Sequence, residues 1–304
     1  METIDLDNLS ALRELDPEGM LAHVAALPQQ CRDAWDATQS LELPTRHLRT
    51  NRVLIAGMGG SAIGGDLAAA VAAAKSPFPI LVHRDYELPA HVDRRTLVIA
   101  SSYSGDTEET LATFEAAHGQ GCPLVAVTTG GMLSRLAKQW NAPLVTFDYQ
   151  SQPRAALGHS FVSLLGVLKA LGVIGSLDAD LEEALNILET QAKEWAPEAP
   201  QTRNAAKQMA QQLVGRIPIV VGAGPLVPVA RRWKTQFNEN AKAWAFFEAL
   251  PEMDHNALSG IHYPEEATDS LCALFLSNTG LHPRNQLRLD LTRQIFEAQG
   301  IVCH

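Results

Sequence analysis

A short apolar run in this sequence ends in a cluster of hydroxyl residues that could hold a phosphate group. Residues 97–100 are followed by Ser102, Ser104, Gly105 and Thr107, and two glutamates then begin a predicted helix. A helix that starts directly after a strand offers unpaired backbone N–H groups and the positive end of its dipole, which suit an anion. The same residues also fit a capping box, with Ser104 or Thr107 as the cap, so both interpretations stay open at this point.

A second turn of this kind follows an earlier apolar run and reads Gly57-Met-Gly-Gly-Ser-Ala-Ile-Gly-Gly. It is close to the dinucleotide-binding pattern GxGxxG, and Asp85 ends the next predicted strand, where a ribose would meet an acid. Ala62, however, stands where the third glycine would fall. The mismatch favours a sugar phosphate held by both turns over a nicotinamide cofactor, which remains the alternative.

Three further residues have side chains that could carry chemistry. Glu239 lies between two asparagines on a predicted helix and could act as a general base, although most helix acids are simply solvated. His255 could move protons near neutral pH, and Arg154 could stabilise an anionic intermediate. A structural histidine and a surface arginine are the competing interpretations. The histidines and cysteines show no metal-ligand spacing, so we expect no metal site.

The composition of the chain restricts its partners and its location. The 304 residues carry a net charge of -10 and contain no basic run, so nucleic acid is not an expected partner. The four cysteines are scattered and read as reduced thiols. The N-terminus does not resemble a signal peptide, and no run approaches the roughly 18 apolar residues that span a membrane. We therefore expect a cytoplasmic protein with no membrane partner.

Strands alternate with helices along the sequence, which predicts an α/β fold with doubly wound parallel sheets. The second half repeats the first: residues 217–224 correspond to 53–59, and residues 271–280 correspond to 97–105. The repeat has lost most of the serines, so we expect the anion site in the first copy. The predicted organisation comprises a helical arm over 1–50, a first domain over 51–150 and a second over 151–304, with an irregular linker near 149–160.

Six stretches together resemble the bifunctional phosphoglucose/phosphomannose isomerases, which are built from two sugar isomerase (SIS) domains. The matching stretches, in chain order, are Gly57-Met-Gly-Gly-Ser-Ala-Ile-Gly-Gly, Arg84-Asp-Tyr-Glu-Leu-Pro, Ser102-Tyr-Ser-Gly-Asp-Thr-Glu-Glu-Thr, Pro153-Arg-Ala-Ala-Leu-Gly, Phe237-Asn-Glu-Asn-Ala-Lys and Asp254-His-Asn-Ala-Leu-Ser-Gly. The resemblance implies interconversion of glucose 6-phosphate and mannose 6-phosphate with fructose 6-phosphate through a cis-enediol, in carbohydrate metabolism and without cofactor or metal.

The resemblance also implies a role for each candidate residue. Glu239 would move the proton between carbons 1 and 2 of the open-chain sugar, and Arg154 would stabilise the cis-enediolate. His255 would assist ring opening, reaching in from the other subunit of a homodimer. The residues that would hold the sugar phosphate are Gly60, Ser61, Ser102, Ser104 and Thr107.

The sequence departs from the family pattern at two points. Asp106 replaces the usual asparagine, and we expect its carboxylate to point to solvent or to cap the helix, away from the phosphate. Family members continue into a further strand and a last helix that carries an active-site lysine, and Lys242 is the last lysine here. The second departure keeps an alternative open, a non-catalytic SIS protein that binds a sugar phosphate.

Overall fold

The computed structural model describes residues 5–304, and the chain divides into two compact units between Asn204 and Ala205. The first unit contains a five-stranded sheet of order β2-β1-β3-β4-β5 in which every pair is parallel. Its strands are β1 (Arg52–Ala56), β2 (Ile80–His83), β3 (Thr96–Ser101), β4 (Leu124–Thr128) and β5 (Leu144–Thr146).

Helices cover both faces of this sheet, as buried parallel strands require. In chain order they are α1 (Leu9–Leu15), α2 (Met20–Ala25), α3 (Leu27–Thr38), α4 (Gly59–Ala72), α5 (Glu108–Gly119), α6 (Gly131–Gln139), α7 (Leu157–Ala170) and α8 (Asp178–Glu194). Val53 and Ile99 belong to the core that includes α3, α4 and α7, whereas Leu54 and Val98 face the core that includes α5 and α6. Alternate side chains of one strand thus serve opposite layers.

The helix α3 is an integral part of the first unit's core. Cys31, Ala34 and Trp35 are buried in the cluster that covers one face of the sheet. At Gly166 on α7, a Cβ would overlap the side chain of Thr38, so only glycine lets the two helices approach so closely. The N-terminal segment predicted as an arm therefore packs directly against the sheet layer.

The second unit repeats this architecture at smaller size. Its sheet has the order β7-β6-β8-β9, again parallel throughout. Its elements are α9 (Ala205–Leu213), β6 (Ile217–Ala223), α10 (Val227–Glu239), β7 (Phe246–Leu250), β8 (Leu271–Phe275), α11 (Pro283–Ala298) and β9 (Val302–Cys303). Ala230 of α10 packs with Val220 on one face, and Leu289 and Phe296 of α11 pack with Val221 on the other.

The predicted α/β class with two parallel sheets is confirmed. The units divide later than the predicted boundary at 150/151, because α7 packs extensively on α3 and α4. The three-segment division itself stays a prediction. The linker expected over 149–160 is wrong in its second half, since Pro153–Ala155 form a 3-10 turn and α7 begins at Leu157. Within residues 5–304, no helix has the length and apolar character needed to cross a membrane.

Candidate active site

The loop after β3 is shaped by hydrogen bonds between its own hydroxyl and amide groups. Ser102 is buried, and its Oγ accepts a hydrogen bond from Gly105 N at 3.1 Å and lies 2.9 Å from Thr107 Oγ1. Gly105 has φ of +76°, and a Cβ there would overlap the carbonyl of Gly130. A glycine is therefore required, and the loop is tightly folded at the carboxyl edge of the sheet.

These contacts decide between a capping box and an open helix N-terminus. Thr107 occupies the N-cap position of α5 but makes no side-chain capping bond. Ser104 is exposed, and its Oγ accepts a hydrogen bond from Asp106 N at 3.2 Å, outside the helix. The capping-box interpretation is therefore wrong. The first turn of α5 keeps N–H groups that no side chain caps in the described part of the chain, and such a turn suits an anion.

The glycine-rich turn provides a second helix start at the same edge. Helix α4 begins at Gly59, so most of the stretch interpreted as a turn is helical, and no side chain caps its N-terminus among the residues described. Ser61, in its first turn, is buried, and its Oγ accepts a hydrogen bond from Tyr103 N at 3.2 Å. Since Tyr103 belongs to the loop after β3, this bond joins the two turns into one region.

Arg154 lies against the first turn of α4. A Cβ on Gly60 would lie 2.8 Å from Pro153 O and 3.4 Å from Arg154 Cα, so only glycine permits this backbone approach. The Arg154 side chain is 15% exposed, and its Nη2 lies 3.5 Å from Glu18 Oε2. The structure thus places the backbone of Arg154 against Gly60, at the helix start whose Ser61 is bonded to the loop of Ser102, Ser104 and Thr107, although the sequence had placed Arg154 in a linker.

Asp106 caps a neighbouring helix. Its Oδ1 accepts a hydrogen bond from Met132 N at 2.8 Å, in the first turn of α6. The carboxylate is therefore committed to the positive end of α6 rather than to α5. This contact explains how a negative side chain is tolerated in the loop, as expected from the sequence.

In the second unit, Glu239 is the last residue of α10 and is half-buried. Its backbone carbonyl accepts a hydrogen bond from Lys242 Nζ at 2.6 Å. Burial lowers the pKa of Arg232 to about 10, and the negative charge of Glu239 acts in the opposite direction. The two side chains are seven positions apart, on one face of the helix, a spacing that could have identified Arg232 from the sequence.

His255 ends a 3-10 turn (Glu252–His255) that follows β7, and its side chain is exposed. The preceding residue fixes this turn, because Asp254 Oδ2 accepts a hydrogen bond from Arg288 Nη1 at 2.6 Å. Asp254 Oδ1 accepts a second bond, from Thr292 Oγ1, at 3.0 Å. The backbone at His255 is thereby anchored to α11.

Glu239 and His255 lie at opposite edges of the second sheet. In a βαβ crossover the helix runs back against the strands, so the end of α10 lies at the amino edge, where β7 begins. His255 follows the carboxyl end of β7, and five strand residues span roughly 15 Å. The second unit therefore does not bring these two candidates together. Within residues 5–304, no group of three or more metal-ligating side chains is placed to hold an ion.

Known proteins resemble both parts of the chain. A family model described as the bacterial phospho-glucose isomerase C-terminal SIS domain matches residues 202–304. A bifunctional phosphoglucose/phosphomannose isomerase from Caldicellulosiruptor bescii is 38% identical over 284 residues, covering 93% of this chain and 83% of the relative. A protein of the same name from Aquifex aeolicus is 35% identical over 251 residues, covering 82% of this chain and 74% of the relative.

Among solved structures, the C-terminal domain of glucosamine-fructose-6-phosphate aminotransferase from Francisella tularensis has a TM-score of 0.67. The match covers 93% of this chain and 82% of that chain, at 15% sequence identity. A likeness at this level of identity establishes the fold alone.

Changing Asp106 to asparagine tests whether its charge faces the anion site. Asp106→Asn keeps the Oδ1 acceptor for Met132 N, so the fold should be unaffected. Affinity for a sugar phosphate, measured by calorimetry, should change by less than about fivefold, because exposed charges in water interact by about 1 kcal/mol or less.

Asp106→Ala is the companion variant, since it also removes the cap and should lower the free energy of unfolding by about 1 kcal/mol. If Asp106→Asn tightened binding by roughly tenfold or more, the carboxylate would instead be facing the bound anion.

Proposed function

The chain belongs to the family of bifunctional phosphoglucose/phosphomannose isomerases, and we propose that it interconverts glucose 6-phosphate and mannose 6-phosphate with fructose 6-phosphate. The observation that carries this proposal is the pairing of two helix N-termini without side-chain caps, joined through Ser61 and Tyr103, with Arg154 against the same turn. Such an edge provides backbone donors for a phosphate and a cation for the reacting end of the sugar.

In this proposal the first unit holds the substrate by its phosphate. Backbone N–H groups in the first turns of α4 and α5, including that of Gly60, donate to the phosphate oxygens. Ser104 and Thr107 add hydroxyl donors, while Ser61 and Ser102 mainly hold the two turns in shape through the bonds they already make. The dipoles of both helices stabilise the negative charge.

The chemical step is a proton transfer between neighbouring carbons. The Glu239 carboxylate takes the proton from carbon 2 of the open-chain aldose, and a cis-enediolate forms as the electron pair moves onto the carbonyl oxygen. Arg154 stabilises the resulting oxyanion, which carries more charge than the ground state. A proton moves from the oxygen on carbon 2 to the oxygen on carbon 1, and return of the abstracted proton to carbon 1 then gives fructose 6-phosphate. In the reverse direction, protonation at either face of carbon 2 gives glucose or mannose 6-phosphate.

Two other functions are less well supported. A nicotinamide-dependent enzyme would use the glycine-rich turn alone, whereas the bond between Ser61 and Tyr103 joins that turn to the serine-rich loop. A sugar-phosphate sensor would need the anion site without Glu239, which stands in a stretch that matches the family. The cytoplasmic location stays a prediction from the sequence.

We further propose that a second copy of the chain supplies His255 for ring opening. Glu239 and His255 lie at opposite edges of one sheet, roughly a strand length apart, which is longer than a hexose. One sugar therefore cannot reach both residues of the same chain. A two-fold dimer would give each site a Glu239 from one copy and a His255 from the other.

The first test of this function is a coupled assay with fructose 6-phosphate in which both aldose products are followed. The wild-type protein should form glucose 6-phosphate and mannose 6-phosphate in the presence of a chelator. Glu239→Gln removes the base but keeps its size, so kcat should fall by roughly 10²–10⁴-fold with little change in KM.

Glu297→Gln makes the same change at an exposed position on α11 and should leave kcat at the wild-type value. Binding of sugar phosphate without turnover would support the sensor. Saturable binding of NAD(H) without sugar-phosphate binding would overturn the isomerase.

A subunit-mixing experiment tests the proposed sharing of His255. Glu239→Gln and His255→Ala proteins should each be inactive as homodimers. After subunit exchange, half the dimers are mixed and each has one intact site, so activity should rise to about a quarter of the wild-type rate. If mixing restores no activity while exchange is verified by mass spectrometry, His255 acts within its own chain or not at all.

A further inference from the structure

A buried amide of α3 is bonded to the turn that carries Arg154 and to the start of the helix that follows it. Gln30 is 1% exposed, and its Nε2 donates a hydrogen bond to Ala155 O at 2.9 Å. Its Oε1 accepts a hydrogen bond from Gly158 N at 3.1 Å. One side chain thus satisfies a backbone acceptor and a backbone donor on the segment that leads from Arg154 into α7, and both bonds are shielded from water.

The packing around this amide leaves little freedom of movement. A Cβ on Gly158 would lie 2.6 Å from the Cβ of Gln30 and 2.9 Å from Cys31 N. Only glycine allows α3 and α7 to approach this closely. This close approach explains why the Pro153–Gly158 stretch ends in glycine. The backbone beyond Arg154 therefore rests directly on α3.

The same amide also reaches the loop that binds the phosphate in our proposal. Gln30 Nε2 donates to Tyr149 Oη at 3.0 Å, and the carbonyl of Tyr149 accepts a hydrogen bond from Tyr103 Oη at 2.5 Å. Tyr103 Oη accepts in turn from Ser151 N at 2.9 Å, and Tyr103 N donates to Ser61 Oγ. The network thus connects α3 with the chain on both sides of Arg154 and with both anion-binding turns.

We infer that Gln30 is a positioning residue for the isomerase reaction: it fixes the backbone that carries Arg154, and so holds the guanidinium where the enediolate forms. The inference rests on the proposed role of Arg154. Gln30 itself touches no substrate. Helix α3 therefore supports the proposed site in addition to packing against the sheet.

Loss of the Gln30 amide should weaken the stabilisation of the enediolate intermediate more than it weakens the binding of the substrate. In the proposal the phosphate is held by the first turns of α4 and α5, and Gln30 makes neither the bond from Tyr103 N to Ser61 Oγ nor the bond from Gly105 N to Ser102 Oγ. Arg154 meets full negative charge only as the enediolate forms, and a misplacement of about 1 Å in a catalytic group can reduce the rate 10²-fold.

The test replaces the amide by a thioether of similar length. Gln30→Met keeps the packing and removes the hydrogen bonds, so kcat should fall roughly 10- to 100-fold while KM changes by less than about threefold. In an Arg154→Ala background the same change should lower kcat by less than about twofold further, because the two residues act as one unit.

A binding measurement makes the test independent of turnover. Arabinonate 5-phosphate carries a carboxylate where the enediolate has its oxygens, whereas sorbitol 6-phosphate carries only hydroxyls. Gln30→Met should weaken calorimetric binding of the first by about tenfold and leave the second within about threefold. Gln29→Met is the matched control, since the neighbouring Gln29 is exposed and bonds only to Asp33 in the described structure.

Gln30→Glu provides a second variant with a different signature. A neutral carboxyl can donate to Ala155 O and accept from Gly158 N, whereas the ionised form opposes the carbonyl. Burial should raise the pKa of the introduced carboxyl. The activity of this variant relative to wild type should therefore rise as pH falls. His23 and Tyr149, which are bonded to each other beside the amide, and the nearby His159 are present in both proteins, so the variant is compared with wild type at every pH.

The outcomes separate the inference from the proposed function. The inference is overturned if folded Gln30→Met matches wild type in kcat and in both affinities, or if it lowers kcat equally with and without Arg154. The inference is also contradicted if the activity of Gln30→Glu relative to wild type does not change with pH. Wild-type protein that never converts fructose 6-phosphate would defeat the proposed function, while the two affinities would still decide whether Gln30 governs recognition of the anionic end.

Discussion

The hydrogen bond from Tyr103 N to Ser61 Oγ joins the two turns on which the candidate site depends. A parallel sheet places several helix starts along its carboxyl edge, and a single start without a side-chain cap is not by itself a binding site. Here α4 and α5 both begin without a side-chain cap. The hydroxyls that could have capped them hold the loops in shape instead, so backbone donors and helix dipoles remain for an anion.

Close backbone approach is the second constraint on the site. At Gly60 and Gly158 there is no room for a Cβ, because the chain around Arg154 passes between the start of α4 and the first half of α3. This double contact fixes the backbone of Arg154, whose side chain is 15% exposed, against a helix start that is proposed to hold an anion. A linker with the same sequence but without these contacts would leave the arginine in solvent, where it would contribute little to stabilising an oxyanion.

The sequence predicted the parts of the fold that local pattern controls. Apolar runs predicted the parallel strands, and small residues predicted the two turns. Charge predicted that the Asp106 carboxylate points away from the anion site. The start of α4 was placed too late because its glycines were interpreted as turn. The role of Gln30 left no local signal, since its partner Ala155 lies 125 positions away. The separation of Glu239 and His255 could have been predicted from the sequence, because a βαβ crossover places these two residues at opposite edges of the sheet.

The central claim is that a protein carboxylate moves a proton between carbons 1 and 2, and isomerisation in heavy water tests it most directly. Fructose 6-phosphate is converted in D2O, and the glucose 6-phosphate formed is examined by NMR at carbon 2. A base that exchanges its proton with solvent before returning it predicts deuterium at that carbon in a substantial part of the product. Product that carries only protium at carbon 2, even after the two sugars have interconverted many times, would match direct hydride transfer and would contradict the account.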